Sequence, residues 1–178
     1  MPVAAAAVEL LETERRGTLV TVDDDGRPRP TPFCFVLSSE GDRLVLHTPI
    51  DEKPKGRSAP DDLPRIRDIR VRPGVVVLID RWDEDWTKLA WAVLHGTASV
   101  LLPGDPATDK ERARAIAALR ERYPQYAGHD LEARPMIRID VDSVRSWDAA
   151  ALSGAGTAPT RSGGGSGSTP SPGGNRRR

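Results

Sequence analysis

Three cations and a threonine that follow a short apolar run could together hold a phosphate group. Thr48 ends the run at 44–48, and Lys53, Lys55 and Arg57 come soon after it. Arginine and lysine bind phosphate through charge-assisted hydrogen bonds, and a threonine hydroxyl adds a donor. The alternative is a solvated loop, which is the commoner use of a run of charges. The loop is therefore a candidate anion site, and its surroundings must decide between these two interpretations.

The other residue types predict neither a protein nucleophile nor a metal centre. The three histidines are scattered, and the glycine patterns of dinucleotide-binding and phosphate-binding loops are missing. Cys34 stands between two phenylalanines, where a cysteine is usually a small buried hydrophobe. No spacing of acidic residues marks a general acid–base pair. We therefore predict no catalytic side chain, and the pattern favours a bound cofactor that supplies the chemistry.

Charge and composition argue against several classes of partner. The 26 basic and 26 acidic residues give no net charge, so no overall field attracts nucleic acid or an anionic membrane. No apolar run approaches the ~20 residues of a membrane-spanning helix, and the first residues lack the basic leader of a secretion signal. A single cysteine is typical of a reducing cytoplasm. We expect a cytoplasmic protein that binds a small-molecule substrate, and no nucleic-acid or membrane partner.

The chain divides into a folded domain and a tail. Residues 1–150 can form one domain that buries most of the surface exposed by its unfolded chain. From Ser153 onward, glycine, serine and proline dominate, and such a segment cannot bury enough apolar surface to offset its ordering entropy. We expect residues 151–178 to be disordered.

Short β-rich segments dominate the first half of the domain. A helix is predicted over 3–16, with Gly17 as its C-cap. Strands are predicted over 18–22, 27–37 and 43–48, a meander typical of an antiparallel barrel or sandwich. Prolines stand at every second position of the middle strand, Pro28, Pro30 and Pro32. Because proline cannot donate to a ladder, this strand is predicted to form a sheet edge or to border a ligand groove.

The second half alternates helices with longer strands. Asp61 or Asp62 is predicted to cap a short arginine-rich helix, and Thr108 and Glu111 to form a capping box that opens a second helix. A bulge is expected where Gly96 interrupts a long strand. The predicted elements are a helix over 61–70, a strand over 75–80 buried on both faces, a strand over 88–102, a helix over 108–122 and a strand over 136–147.

Read together, these stretches resemble the pyridoxamine 5′-phosphate oxidase-like split β-barrel, and more closely its branch of actinobacterial deazaflavin (coenzyme F420)-dependent oxidoreductases. The resemblance covers about Glu9 to Trp147. It is carried by 19–23, 26–32, 47–55, 65–73 and 80–86, together with Trp91 and Gly96. It implies a mainly β fold with flanking helices (α+β), a split β-barrel that binds flavin-like cofactors.

The resemblance also implies a homodimer with two cofactor sites at the subunit interface. The residues it implies as cofactor contacts are Thr31, Pro32, Phe33 and Cys34 along the tricyclic ring; His47 and Thr48 near the phosphate; Lys53 paired with the phosphate; Lys55 and Arg57 toward the anionic tail; and Trp86 from across the interface.

Hydride transfer between F420 and an apolar or conjugated organic substrate is the activity that the resemblance implies. The C-terminal substrate signature of pyridoxamine oxidases is missing, since the domain ends at 146–149, so oxidation of vitamin B6 is not expected. Two alternatives stay open. The same barrel could use FMN, or it could bind F420, a flavin or a tetrapyrrole without turnover.

Overall fold

The computed structural model describes residues 4–52, 59 and 62–150. Two short 3₁₀ helices, Trp86–Lys88 and Pro124–Gly128, accompany the longer elements. In chain order these are α1 (Ala5–Thr13), β1 (Gly17–Val22), β2 (Pro28–Phe33), β3 (Val36–Glu40), β4 (Arg43–Pro49), α2 (Pro64–Val71), β5 (Gly74–Arg81), β6 (Ala90–Leu101), α3 (Asp109–Arg122) and β7 (Met136–Asp148). None of the helices in the described part of the chain is long and apolar enough to cross a membrane.

The strands form one antiparallel sheet whose two edges meet. Their order is β2-β1-β5-β6-β7-β4-β3, so β2 and β3 occupy opposite edges. Yet β2 ends at Phe33 and β3 begins at Val36. Three residues span at most about 11 Å, so the sheet must curl until its edges approach each other. The predicted fold class, a split β-barrel with flanking helices, is confirmed.

The predicted strand over 27–37 is two strands, which makes the three-stranded meander wrong. β2 pairs with β1, whereas β3 pairs with β4. The chain leaves the sheet between them at Phe35, whose amide nitrogen and carbonyl oxygen lie 3.1 and 2.8 Å from the hydroxyl of Tyr123. That hydroxyl takes the place of a neighbouring strand, so both backbone groups are satisfied off the ladder.

The alternating prolines lie at a sheet edge, as predicted. Pro28, Pro30 and Pro32 are exposed and stand opposite residues of β1. Backbone groups of successive strand residues point to opposite sides, and proline has no amide to give. The prolines therefore face outward, and the amides of Thr31 and Phe33 are left to bond β1. The alternative of a ligand groove along this edge stays a prediction.

The inner face of the sheet and two helices enclose the main core. Leu11, Leu46, Ile66 and Ile79 are among its fully buried members. The predicted burial of both faces of the strand over 75–80 is wrong, because β5 alternates between buried and exposed residues.

An outer apolar face is left on the opposite side of the sheet, where β1, β5 and β6 lie side by side. We define it by Val20, Val76, Leu78, Trp91 and Val93, of which Leu78 is 36% and Trp91 38% exposed. The register places Val20 opposite Val76 and Leu78 opposite Val93, so these side chains share one face.

Two glycines are required by close approach of neighbouring atoms. Gly17 begins β1 and is not a helix C-cap, because α1 ends at Thr13. A Cβ at Gly17 would lie 2.3 Å from Cδ1 of Ile79. Gly96 lies at the predicted bulge, where the register of β6 against β7 shifts. A Cβ there would lie 2.5 Å from the carbonyl oxygen of Asp140.

Both predicted helix caps are wrong in their detail. Leu63 occupies the N-cap of α2 in place of Asp62, and Asp61 lies outside the described residues. Thr108 is the N-cap of α3, but its hydroxyl bonds Asp105 and not the helix. Glu111 does not reach back to complete a capping box, because its carboxylate is bound to His47 and Arg138.

Candidate functional site

The end of β4 and the residues directly after it are buried. Thr48 is 4% exposed, and Ile50 and Asp51, which follow the strand, are also buried. Thr48 stands opposite Ile137 of β7, and the amide of Ile50 donates to the carbonyl of Pro135 at 3.1 Å. The predicted anion loop begins here, and its cations Lys53, Lys55 and Arg57 lie outside the described residues.

Arg65, on α2, adds a cation close to the end of β4. Its side chain is half-buried, and burial lowers its pKa while the Asp51 carboxylate opposes that shift. A guanidinium stays charged at any physiological pH, so Arg65 is a fixed and partly desolvated positive charge. Such a group attracts an anion more strongly than a solvated one. Its position directly before the buried Ile66 was the available signal.

The stretch from Thr31 to Cys34 runs toward the end of β4, and Cys34 is its nearest residue. Val36, two residues after Cys34, stands opposite His47 in the β3–β4 ladder. The topology therefore places Cys34, the last residue of the predicted ring-contacting stretch, within about 12 Å of His47. Phe33 packs its ring 5.5 Å from that of Phe35.

Backbone chemistry limits what the β2 edge can offer a bound ring. The amides of Thr31 and Phe33 serve β1, and Pro32 presents a carbonyl without an amide. A bound ring therefore meets acceptors along the outer edge of β2. Backbone donors begin at Cys34.

Tyr126 joins the two halves of the site and was also missed. Its pKa is raised, first by burial and then by the neighbouring Cys34, with a smaller effect from Asp51. The phenol is therefore neutral throughout the physiological range and acts as a hydrogen-bonding group. In the sequence, the only sign of this segment is Pro124, which follows the predicted helix over 108–122 and cannot continue it.

His47 is buried, and its ring faces α3. Its side chain is 4% exposed, and Nε2 lies 2.6 Å from Oε1 of Glu111. Side chains of successive strand residues point to opposite faces, so the ring of His47 and the hydroxyl of Thr48 lie on opposite sides of β4. One ring nitrogen of His47 is therefore engaged by the protein itself.

Trp86 lies in the connection between β5 and β6 and is 71% exposed. Trp82, in the same connection, is 70% exposed. Their role in a cofactor site depends on the second subunit that the prediction invokes. That role stays a prediction.

The arrangement can hold an anionic group and orient a planar molecule. Among the described residues, no group of three or more histidine, cysteine, aspartate or glutamate side chains could hold a metal ion. The fixed charge of Arg65 and the hydroxyl of Thr48 could bind such a group, and the buried phenol of Tyr126 lies close by. This is the chemistry of a protein that positions a cofactor.

Fold and site together define a split-barrel protein of the pyridoxamine 5′-phosphate oxidase type. The family model described as pyridoxamine 5′-phosphate oxidase matches residues 3–148. The chain belongs to this family. No curated protein matches the sequence.

Solved structures with the same fold cover nearly the whole domain. A conserved hypothetical protein from Mycobacterium tuberculosis is 22% identical, with a TM-score of 0.63 over 93% of this chain and 95% of its own. An FAD-binding protein from Mesorhizobium loti is 19% identical, with a TM-score of 0.56 over 82% and 94%. The heme storage protein HutZ from Vibrio cholerae is 15% identical, with a TM-score of 0.55 over 83% and 95%.

Proposed function

We propose that this protein is an F420-dependent oxidoreductase that transfers a hydride between the deazaflavin and an apolar or conjugated organic substrate. The observation that carries the proposal is the partly desolvated Arg65 beside the buried end of β4. It adds a cation where the sequence already supplies Thr48 and Lys53. A solvated charged loop would not require a half-buried arginine at its base.

The protein's part in the reaction is binding and orientation. When bound in its reduced form, F420 would supply the hydride and be oxidised in turn. Arg65 and Lys53 would hold the cofactor phosphate, with the Thr48 hydroxyl as a further donor. Lys55 and Arg57 would meet the anionic tail. The edge of β2 would fix one side of the ring, so that the substrate meets the other side.

The outer apolar face supports the homodimer that this function requires. Leu78 and Trp91 expose large apolar side chains on the outer side of the sheet, with Val20, Val76 and Val93 beside them. Contiguous exposed apolar surface of this kind is typical of protein–protein contacts. A second copy packed on this face would bring Trp86 toward the partner's cofactor.

FMN is the second candidate cofactor, favoured by the FAD-binding protein of the same fold. A barrel that binds F420, a flavin or a tetrapyrrole without turnover is the third reading, and the heme storage protein illustrates it. The family relationship is compatible with all three.

Mass spectrometry of the small molecule that copurifies from an F420-producing host would separate these functions. We expect the bound molecule to be F420. In a separate activity assay with reduced F420, we expect reduction of acceptors from a panel of quinones and tetrapyrroles. Copurified FMN with flavin absorption would replace the proposal by its second form. Bound F420 without reduction of any acceptor would favour the binding protein.

A further inference from the structure

An ionic cluster built around the buried His47 lies on the other side of β4 from Thr48. We define the His47 cluster as His47 on β4, Glu111 on α3, Arg138 and Asp140 on β7, and Glu40 on β3. Oε1 of Glu111 lies 2.6 Å from Nε2 of His47 and also accepts from Arg138. The cluster thus joins three strands to the first turn of α3.

Arg138 holds Glu111 in place for His47. Its guanidinium donates to both oxygens of Asp140 at 3.0 and 2.7 Å, and to both oxygens of Glu40 at 3.0 and 2.9 Å. Hydrogen bonds to these carboxylates raise the pKa of Arg138, so its charge is fixed. A guanidinium anchored at both ends gives Glu111 one well-defined position.

The hydrogen bond, and not packing alone, determines where the His47 ring lies. A cavity of about 270 Å³ between β3 and α3 is lined in part by His47, Glu111, Arg114 and Ala118. The cavity borders the cluster, although the His47 side chain itself is only 4% exposed. The bond to Glu111 fixes the orientation of the ring beside this cavity.

We propose that His47 is a positioning residue whose bond to Glu111 sets the position of Thr48. This inference rests on the proposed function of the β4 end. His47 and Thr48 are adjacent in one strand. If the ring moves toward the cavity, the backbone at position 47 moves with it, and this displaces the hydroxyl of Thr48. A displacement of about 1 Å in a binding group can cost up to about a hundredfold in performance.

Substitution with chemical rescue tests the proposal. His47→Ala removes the ring and opens its space into the cavity, where added imidazole can bind Glu111. We expect F420 or FMN affinity to fall about tenfold in His47→Ala, to recover with imidazole, and to stay within about threefold of the parent in His47→Gln, whose amide reaches the same carboxylate. Lys53→Ala is the matched control, which imidazole should not rescue.

The reciprocal change checks that the two residues act together. Glu111→Ala should weaken cofactor binding as much as His47→Ala does, and the double variant should be no weaker than either alone. Unchanged affinity in folded His47→Ala would overturn the proposal. So would equal losses in His47→Ala and His47→Gln without rescue by imidazole.

Hydrogen exchange separates failure of this proposal from failure of the proposed function. It is measured without cofactor, at the amide of Ile50, which bonds Pro135 directly after β4. Faster exchange in His47→Ala, slowed again by imidazole, is expected even if the parent protein binds no F420. Exchange at the parent rate in both His47→Ala and Glu111→Ala would refute positioning by His47.

Discussion

We predict that Asp68 holds α2, the helix that carries Arg65, against β1 and β2. Its Oδ2 accepts from the hydroxyl of Thr21 on β1 at 2.7 Å and from Nε of Arg29 on β2 at 2.9 Å. Asp68 is 5% and Thr21 1% exposed. The perturbation is Asp68→Ala.

The cost of Asp68→Ala follows from what each partner loses. The hydroxyl of Thr21 is left buried without its acceptor, which costs about 1–3 kcal/mol. The side chain of Arg29 is 41% exposed and returns to water, so its lost bond adds less than about 1 kcal/mol. We expect a loss of about 2–3 kcal/mol in the free energy of unfolding, a large share of the ordinary total.

Urea unfolding with a double-mutant cycle measures this loss. Thr21→Val removes the stranded hydroxyl, so the Asp68→Ala/Thr21→Val protein should lose less than the sum of the single changes by about 1 kcal/mol or more. Asp62→Ala is the matched control, because its partner Arg67 is exposed, and it should stay within about 0.5 kcal/mol of the parent. Additive losses, or a loss of Asp68→Ala no larger than that of the control, would refute the reasoning.

Three further predictions concern other parts of the barrel. Leu78→Arg should convert the proposed dimer to a monomer in sedimentation analysis, whereas Leu102→Arg, at an exposed position directly after β6, should not; equal behaviour of the two would contradict the proposed dimer face. Hydrogen bonds from Arg138 hold the pKa of Asp140 below its ordinary value of 3.8, so its stabilising effect is complete above that pH and lost as pH falls through the lowered pKa. The stability lost on Asp140→Asn should therefore shrink in urea unfolding below about pH 4, and a loss unchanged at about pH 2 would contradict this. Gly96→Ala should cost about 1–3 kcal/mol in thermal unfolding, because its Cβ would meet the β7 backbone at 2.5 Å; a parent-like midpoint would exclude the close approach.

Features that depend on local chemistry were predictable from the sequence. The prolines of β2 mark an edge because their missing amides exclude a second neighbour. The bulge at Gly96 follows from residue types within a few positions. Resemblance supplied the barrel, which periodicity left open against a sandwich.

Features that depend on distant residues were not predictable from local patterns. The break between β2 and β3 relies on Tyr123, 88 residues after Phe35. The capping box at Thr108 is wrong because His47 and Arg138, from two strands, bind Glu111. Arg65 and Tyr126 escaped notice for the same reason, since their burial arises only when the barrel closes.

Fluorescence titration of F420 against four proteins tests the anion site most directly. We predict tight binding by the parent, a loss of about tenfold or more in Arg65→Ala and in Lys53→Ala, and little change in Arg67→Ala, whose side chain is 58% exposed on the same helix. Tight binding that neither Arg65→Ala nor Lys53→Ala weakens would contradict an anion site at the end of β4.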